Sequence, residues 1–437
     1  MLLWTCAVSG RICCIMKILA GIVLLGAACA AAQGVATVGE AKKTALVSEP
    51  VYAESDAGAM LLGPAQIRHF YNMDGVTNGG EGQTIAIIIN SHDELLEHDL
   101  GVFSARFGLP LCEVKTGCFQ QISGPEMVPV KRVLPAKESG HGEVSMDVEW
   151  AHAMAPKAKL IVVEAPRGIW EDFLAAVDAA VKNGATVVSL SLAEIQRDDR
   201  KEKNLADDVH FANDAAVYVS AAGDHAHGSR WPASSPTVVG VGGTTVVTDA
   251  KGTRLGETAW SSHPDGERYF GTGGGISNAE AEPPAQLAFG LPGNPGHMRG
   301  TPDVSAYAVG AAKVAVYTSY PAVKTGIPGW RGIAGTSAGT PMWAGLLAVA
   351  NSMRVQAGKT PLSKYVGKDG GKGTLAALYT VAKQTPAAFF DITEGNNATG
   401  DAEACGAECS AAVGYDYLTG LGSPNGAVLL GALAALP

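Results

Sequence analysis

Three short stretches of this chain carry residue types that can do chemistry together. In Gly335-Thr-Ser-Ala-Gly-Thr-Pro341, Ser337 is flanked by small residues just ahead of the apolar stretch 342–353. A hydroxyl uncovered at the mouth of a helix, beside backbone N–H groups without intrahelical partners, is placed to attack a carbonyl. The plainer role of such a motif is a helix N-cap. In Glu143-Val-Ser-Met-Asp147 two carboxyls stand four residues apart, hence on one face of a helix. Two like charges held close resist joint ionisation, so such a pair keeps one proton, leaving one member a base and the other its support. Solvated acids are the ordinary outcome for this spacing, but Val144, Met146, Val148, Trp150, Ala151 and Ala153 leave the helix little polar surface. In Val219-Ser-Ala-Ala-Gly-Asp224 an acid stands on the turn that ends an apolar run. There it either forms an Asx turn or, protonated, donates to a developing oxyanion.

The elements that must hold these residues follow from the hydrophobic pattern. Residues 84–89, 160–164, 185–191, 215–220 and 238–247 are apolar runs of strand length. Between them, a helix continues from Glu143 towards Pro156, and 169–183 is an amphipathic helix ended by Gly184. Continuous apolar strands alternating with helices predict an α/β fold, a parallel sheet covered by helices on both faces. Ligands of such sheets bind at the carboxyl ends of the strands. Several of the candidate residues fall in turns after strands or at helix starts, as that rule requires. No internal repeat and no linker divides 61–437, so one large domain is expected there.

Composition narrows the partners. With 437 residues, 47% hydrophobic and 17% charged, the chain has apolar material for a large core and no mark of disorder. A net charge of −10 repels nucleic acid and anionic membranes. The charged run 197–203 mixes Arg and Lys with Asp and Glu and reads as a solvated face.

Lys17, the apolar run 18–25 and the small residues up to Ala32 form a secretory leader, with Met16 as its natural start. Cys29 lacks the Leu three residues earlier that a lipid-anchored leader wants, since Gly26 stands there. The mature protein is expected to be exported, to a periplasm or the exterior, and to carry no membrane span. Residues 33–60 read as a short arm without a clear period. Four cysteines remain beyond the leader, Cys112, Cys118, Cys405 and Cys409. Of three possible connectivities, the close pairs favour local bridges Cys112–Cys118 and Cys405–Cys409 that pin surface loops.

Taken together, the stretch 143–156, Gly223-Asp224, Trp231-Pro-Ala-Ser-Ser-Pro236 with Val239-Gly-Val-Gly-Gly-Thr244, Thr301-Pro-Asp-Val-Ser305 and 335–341 resemble, in family order, the sedolisin family of serine-carboxyl peptidases. The resemblance covers about residue 61 to the C-terminus. It implies a subtilisin-like fold and cleavage of protein or peptide substrates through an acyl-enzyme. It implies Ser337 as nucleophile, Glu143 as general base, Asp147 as its support and Asp224 as oxyanion-hole donor, the roles the residues suggest on their own. It also implies one structural calcium ion, Ca2+, held near Asp391, Ile392, Gly414 and Asp416. With carboxyls in place of histidine, Glu143 must ionise while Asp224 keeps its proton, so the optimum is expected at roughly pH 3–5, around carboxyl pKa values of about 4.

The chain departs from the family pattern at several positions. Leu192 and Ala193 replace an aromatic residue and a glycine, Ile89 stands where some members have a further carboxylate, His225 follows Gly-Asp, and no long propeptide separates leader from domain. Two other readings stay open. One is a Ser-His-Asp hydrolase using His141-Gly142, which also needs an aspartate at the first strand's end, where Ile89-Asn90 supplies none. The other is a non-catalytic peptide-binding protein on a peptidase scaffold. Endopeptidase action and a monomeric state are the default expectations.

Overall fold

Strand β1 (Thr84–Ile89) shows how the sheet is buried: Ile85, Ile87 and Ile89 enter one apolar cluster while Ala86 and Ile88 enter another on the opposite face. Side chains alternate across a strand, so an unbroken apolar run needs cover on both sides. The neighbours obey the same rule. In β2 (Phe119–Ser123) and β3 (Lys159–Glu164), Phe119, Leu160 and Val162 face the larger cluster, and Ile161 and Val163 the smaller. The remaining strands are β4 (Val187–Leu190), β5 (Val217–Ala221), β6 (Val238–Thr248), β7 (Arg254–Ala259) and β8 (Val304–Gly310).

These eight strands form one sheet in the order β7-β6-β5-β4-β1-β3-β2, with β8 also pairing to β6. All pairings are parallel except β6 with β7. In register, Ile85 lies between Leu160 and Val187. Helices α1 (Leu96–Phe107), α2 (His141–Met154) and α4 (Thr336–Gln356) cover the larger cluster, and α3 (Trp170–Lys182) the smaller through Trp170, Phe173 and Val177. Helix α3 carries Glu171 and Asp172 in its first turn and Lys182 in its last, complementing its dipole. The expected α/β architecture is thus present, and the sheet's carboxyl edge is where β4 leads to Ser191 and β5 to Asp224.

This computed structural model describes residues 51–53, 60–90, 92–123, 140–165, 169–195, 205–265, 268–320, 328–368, 370–399 and 405–437. The expected leader, most of the arm and the charged run 197–203 lie outside the described residues. The described part belongs to one compact unit, Lys43–Pro437.

Val51–Ala53, which the sequence reading placed in an irregular arm, pairs antiparallel with Gly329–Ala334 in a second sheet that also holds Lys313–Thr318 and Leu61–Leu62. The backbone of that short segment finds ladder partners that no local pattern announces. Both local disulfides are formed, Cys112–Cys118 and Cys405–Cys409. They are less superficial than expected, because Cys112 and Cys409 are buried. Among the described residues, no helix is long and apolar enough to cross a membrane.

Candidate active site

The position of Ser337 is made by a turn. Gly335 has φ +134°, a conformation that L side chains rarely adopt, and it converts the strand Gly329–Ala334 directly into α4. Helix α4 starts at Thr336 rather than near residue 342, so Ser337 lies within its first turn among N–H groups that lack intrahelical acceptors. Pro341 has no N–H to offer the carbonyl of Ser337, four residues earlier. The Ser191 hydroxyl lies 3.4 Å from that carbonyl oxygen.

Helix α2 brings the acids to the serine. All fourteen of its residues are buried. It runs alongside α4 at close range: a Cβ on Gly345 would stand 2.5 Å from Met154 Cβ and 3.1 Å from the Ala151 carbonyl. Two turns back along each helix, the Ser337 hydroxyl donates to Glu143 Oε1 at 2.8 Å. One turn beyond Glu143, Asp147 Oδ1 accepts a hydrogen bond from the Ser191 hydroxyl at 2.7 Å. Burial holds the Asp147 carboxyl well above the usual carboxylate range, and the Ser191 donation offsets this only in part. Asp147 is therefore the member of the pair suited to keep the proton.

Asp224 arrives from the end of β5 and is fully buried. Its Oδ1 accepts from the Thr336 amide at 2.8 Å and from the Thr336 hydroxyl at 2.6 Å. Its Oδ2 is buried without a partner among the described residues. Burial pushes the Asp224 pKa up to about 6, against the lowering effects of Thr336 and the charge of Arg230. Below that pH the proton belongs on Oδ2, because Oδ1 is engaged by two donors. The result is an O–H donor without an acceptor among the described residues, fixed to the residue that precedes Ser337. All four residues singled out from sequence thus meet where β4 and β5 end against α2 and α4.

Several participants escaped the sequence reading. Thr336 anchors Asp224, and Ser191 supports Asp147; each is a polar residue at the end of a buried run, which is the signal that could have found it. Asp93 is a third. His141 Nδ1 lies 3.1 Å from Asp93 Oδ2, both groups buried, and its ring stacks on Tyr320 with centroids 3.6 Å apart. The aspartate that the histidine reading lacked at Ile89-Asn90 is supplied from the loop beyond the strand.

The two expected carboxylates, Asp391 and Asp416, both contact the loop at 412–419. Asp416 Oδ1 accepts the amides of Leu418 and Thr419, both at 2.8 Å, and its Oδ2 accepts that of Ala412 at 3.1 Å. Asp391 Oδ2 accepts the amide of Gly414 at 3.0 Å. One loop thus carries or contacts both carboxylates, and burial pushes the Asp416 pKa up to about 6. Asp391 and Asp416 offer carboxylate oxygens and Ile392 and Gly414 backbone carbonyls, the donor types that a hard cation such as Ca2+ takes. His227 lies close to Cys405 and Cys409 as a ligand cluster would, but the two sulfurs are joined in a disulfide and are not thiolate donors.

Known proteins share this fold and much of this sequence. Residues 137–365 match the model of the Subtilase family. The chain is 33% identical over 379 residues to kumamolisin of Bacillus sp. (strain MN-32), covering 81% of this chain and 60% of that protein. It is 30% identical over 264 residues to sedolisin of Pseudomonas sp. (strain 101), covering 56% and 40%. It spans, in other words, well under two thirds of the length of these relatives. A solved structure of Pseudomonas sedolisin, a serine-carboxyl proteinase complexed with two molecules of pseudo-iodotyrostatin, superposes with a TM-score of 0.69 at 24% identity, over 86% of this chain and 98% of that one.

Proposed function

The chain belongs to the subtilase family, on its sedolisin branch, and from that premise we propose that it is an exported, acid-acting serine-carboxyl endopeptidase of protein and peptide substrates. The observation that carries this reading is the 2.8 Å hydrogen bond from Ser337 to Glu143 inside a buried helix pair. A carboxylate, rather than an imidazole, receives the nucleophile's proton.

In the proposed mechanism, ionised Glu143 takes the Ser337 proton as the hydroxyl attacks the scissile carbonyl, and Asp147 holds Glu143 in place. The carbonyl oxygen, becoming an oxyanion, is met by Asp224 Oδ2–H, which needs no reorganisation because Thr336 already fixes the carboxyl. Glu143 then delivers its proton to the leaving amine, giving an acyl-enzyme on Ser337. In the second half, Glu143 deprotonates the attacking water and returns the proton to Ser337. The cycle needs Glu143 charged and Asp224 neutral together, which places the working range on the acidic side, bounded above by the Asp224 pKa of about 6. Asp391, Ile392, Gly414 and Asp416 would hold Ca2+, whose charge would offset that of buried Asp416 and brace the 412–419 loop.

The test is cleavage of a denatured protein mixture across the acidic to neutral range by purified mature protein, beside Ser337→Ala, Glu143→Gln and His141→Ala. Acidic cleavage abolished in the first two variants is the expected outcome. Because His141 does find a buried aspartate, loss in His141→Ala with retention in Glu143→Gln would instead identify a histidine-dependent serine hydrolase. Absence of cleavage by well-folded, calcium-loaded protein would identify a peptide-binding protein.

A further inference from the structure

Arg230, in the two-residue strand Arg230–Trp231, is buried at 4% exposure. Among the described residues its guanidinium gives no hydrogen bond to a carboxylate. Instead Nη1 donates to the carbonyls of Ala226 at 2.9 Å and Gly228 at 2.8 Å, and Nη2 to that of His225 at 2.8 Å. Those carbonyls belong to the four residues that directly follow Asp224. The side chain lies against backbone at two levels: a Cβ on Gly223 would meet Arg230 Cδ at 2.6 Å, and one on Gly273 would meet Nη1 at 2.6 Å. Gly223 and Gly273 are themselves tied by backbone hydrogen bonding, as are Asp224 and Ala226 to Gly271. Ala226 holds φ +57°, an uncommon conformation for alanine, and its carbonyl is one of the three that Arg230 engages. Among the described residues no acid lies within ion-pair distance of this guanidinium, and burying a cation without a counter-ion is costly.

We propose that Arg230 is a positioning residue for the oxyanion hole: its guanidinium clamps the loop that carries Asp224 and places a fixed positive charge beside it. The proposal rests on the role of Asp224 put forward above. Three bonds from one planar fork lock the backbone of 225–228, which fixes where Asp224 stands against Thr336. The uncompensated charge also favours negative charge developing nearby, as it does in the passage from carbonyl to oxyanion. Burial lowers the Arg230 pKa to about 10, so it stays a cation throughout the working range. The titratable groups it faces are Asp224, His225 on the clamped loop, and His227, whose Nε2 lies 3.7 Å from Glu408 Oε2.

The test uses the mature chain with Arg230→Met and Arg230→Lys, each checked for folding by circular dichroism. Arg230→Met is expected to lower kcat by about 10²-fold, the size of losing an oxyanion-hole donor, with KM changed less than about twofold. Its alkaline limb should move to higher pH, because the cation no longer favours ionised Asp224. Arg230→Lys should keep the limb in place yet recover only part of kcat, since an ammonium cannot span three carbonyls. Two outcomes would overturn the proposal: a folded Met variant with the pH profile and kcat of the parent, or a Lys variant indistinguishable from it. A second readout does not need activity. In Ser337→Ala protein, the carboxyl ¹³C titration midpoint of Asp224 should rise on adding Arg230→Met, and an unmoved midpoint refutes the electrostatic part. Should the parent lack Ser337-dependent cleavage, the peptidase reading fails while this titration still decides the coupling; if Met does not fold, the Lys variant is decisive in both readouts.

Discussion

Replacing Asp224 by asparagine separates a hydrogen-bond donor from an acid. The asparagine amide can present its carbonyl to the two Thr336 donors that Oδ1 now accepts and its NH2 where Oδ2 stands unpartnered. The donor then no longer depends on pH. In the parent, with Asp224 at about 6, roughly nine-tenths of the molecules carry the proton at about pH 5 and roughly one-tenth at about pH 7. The ratio of the Asp224→Asn variant to the parent in kcat/KM should therefore rise about tenfold between those two pH values. Taking a ratio cancels the titration of Glu143 and Asp147, which both proteins share. The assay is initial-rate cleavage of a quenched fluorescent peptide whose sequence is taken from the cut sites in denatured protein. Asp224→Ala, with no donor, should lose about 10²–10³-fold at either pH. A ratio that stays flat with pH, or an Asn variant as poor as Ala at about pH 5, would refute the assignment of Asp224 as a protonated donor.

Stability should fall as pH rises. Burial raises the folded-state pKa of Asp147, Asp224, Glu149 and Glu280, the last to about 8 with Asp208 also contributing. Each binds its proton more tightly folded than unfolded, so the stability it contributes is complete below about pH 4 and is lost as pH rises through its folded value. His152 and His227, both lowered by burial, work the other way. Calorimetry should show Tm decreasing from about pH 5 to about pH 8, with Asp224 alone accounting for about 1.4 kcal/mol of the loss over that interval. Gly345→Ala should force α2 and α4 apart, because the new Cβ meets Met154 Cβ rather than a flexible side-chain end. A loss of about 1–3 kcal/mol in denaturant unfolding and about 10²-fold in kcat/KM is expected. Chelation of Ca2+ should lower Tm, by about 2.7 kcal/mol of stability relative to ion at a hundredfold excess over Kd, and Asp416→Asn should abolish the difference between chelated and loaded protein.

The sequence by itself determined which residue types were present and which faces had to be buried. The runs at 84–89 and 160–164 could only be strands covered on both sides, and the apolar helix around Glu143 could not leave its acids in water; those are local consequences of periodicity and desolvation. From such patterns came the parallel sheet, from cysteine spacing both disulfide pairs, and from three motifs with the family resemblance the four residues now found together. Tertiary structure decided what depends on contacts between segments far apart in the chain. Asp93 meets His141, Ser191 meets Asp147, Thr336 meets Asp224, and Arg230 closes under the loop after Asp224. The start of α4 was also misplaced, since Gly335 lets the helix begin at Thr336, where small residues carry little helical pattern. Partner choice among buried polar groups is set by where folding puts the few donors and acceptors available to them, and a linear pattern records the need for a partner without naming it.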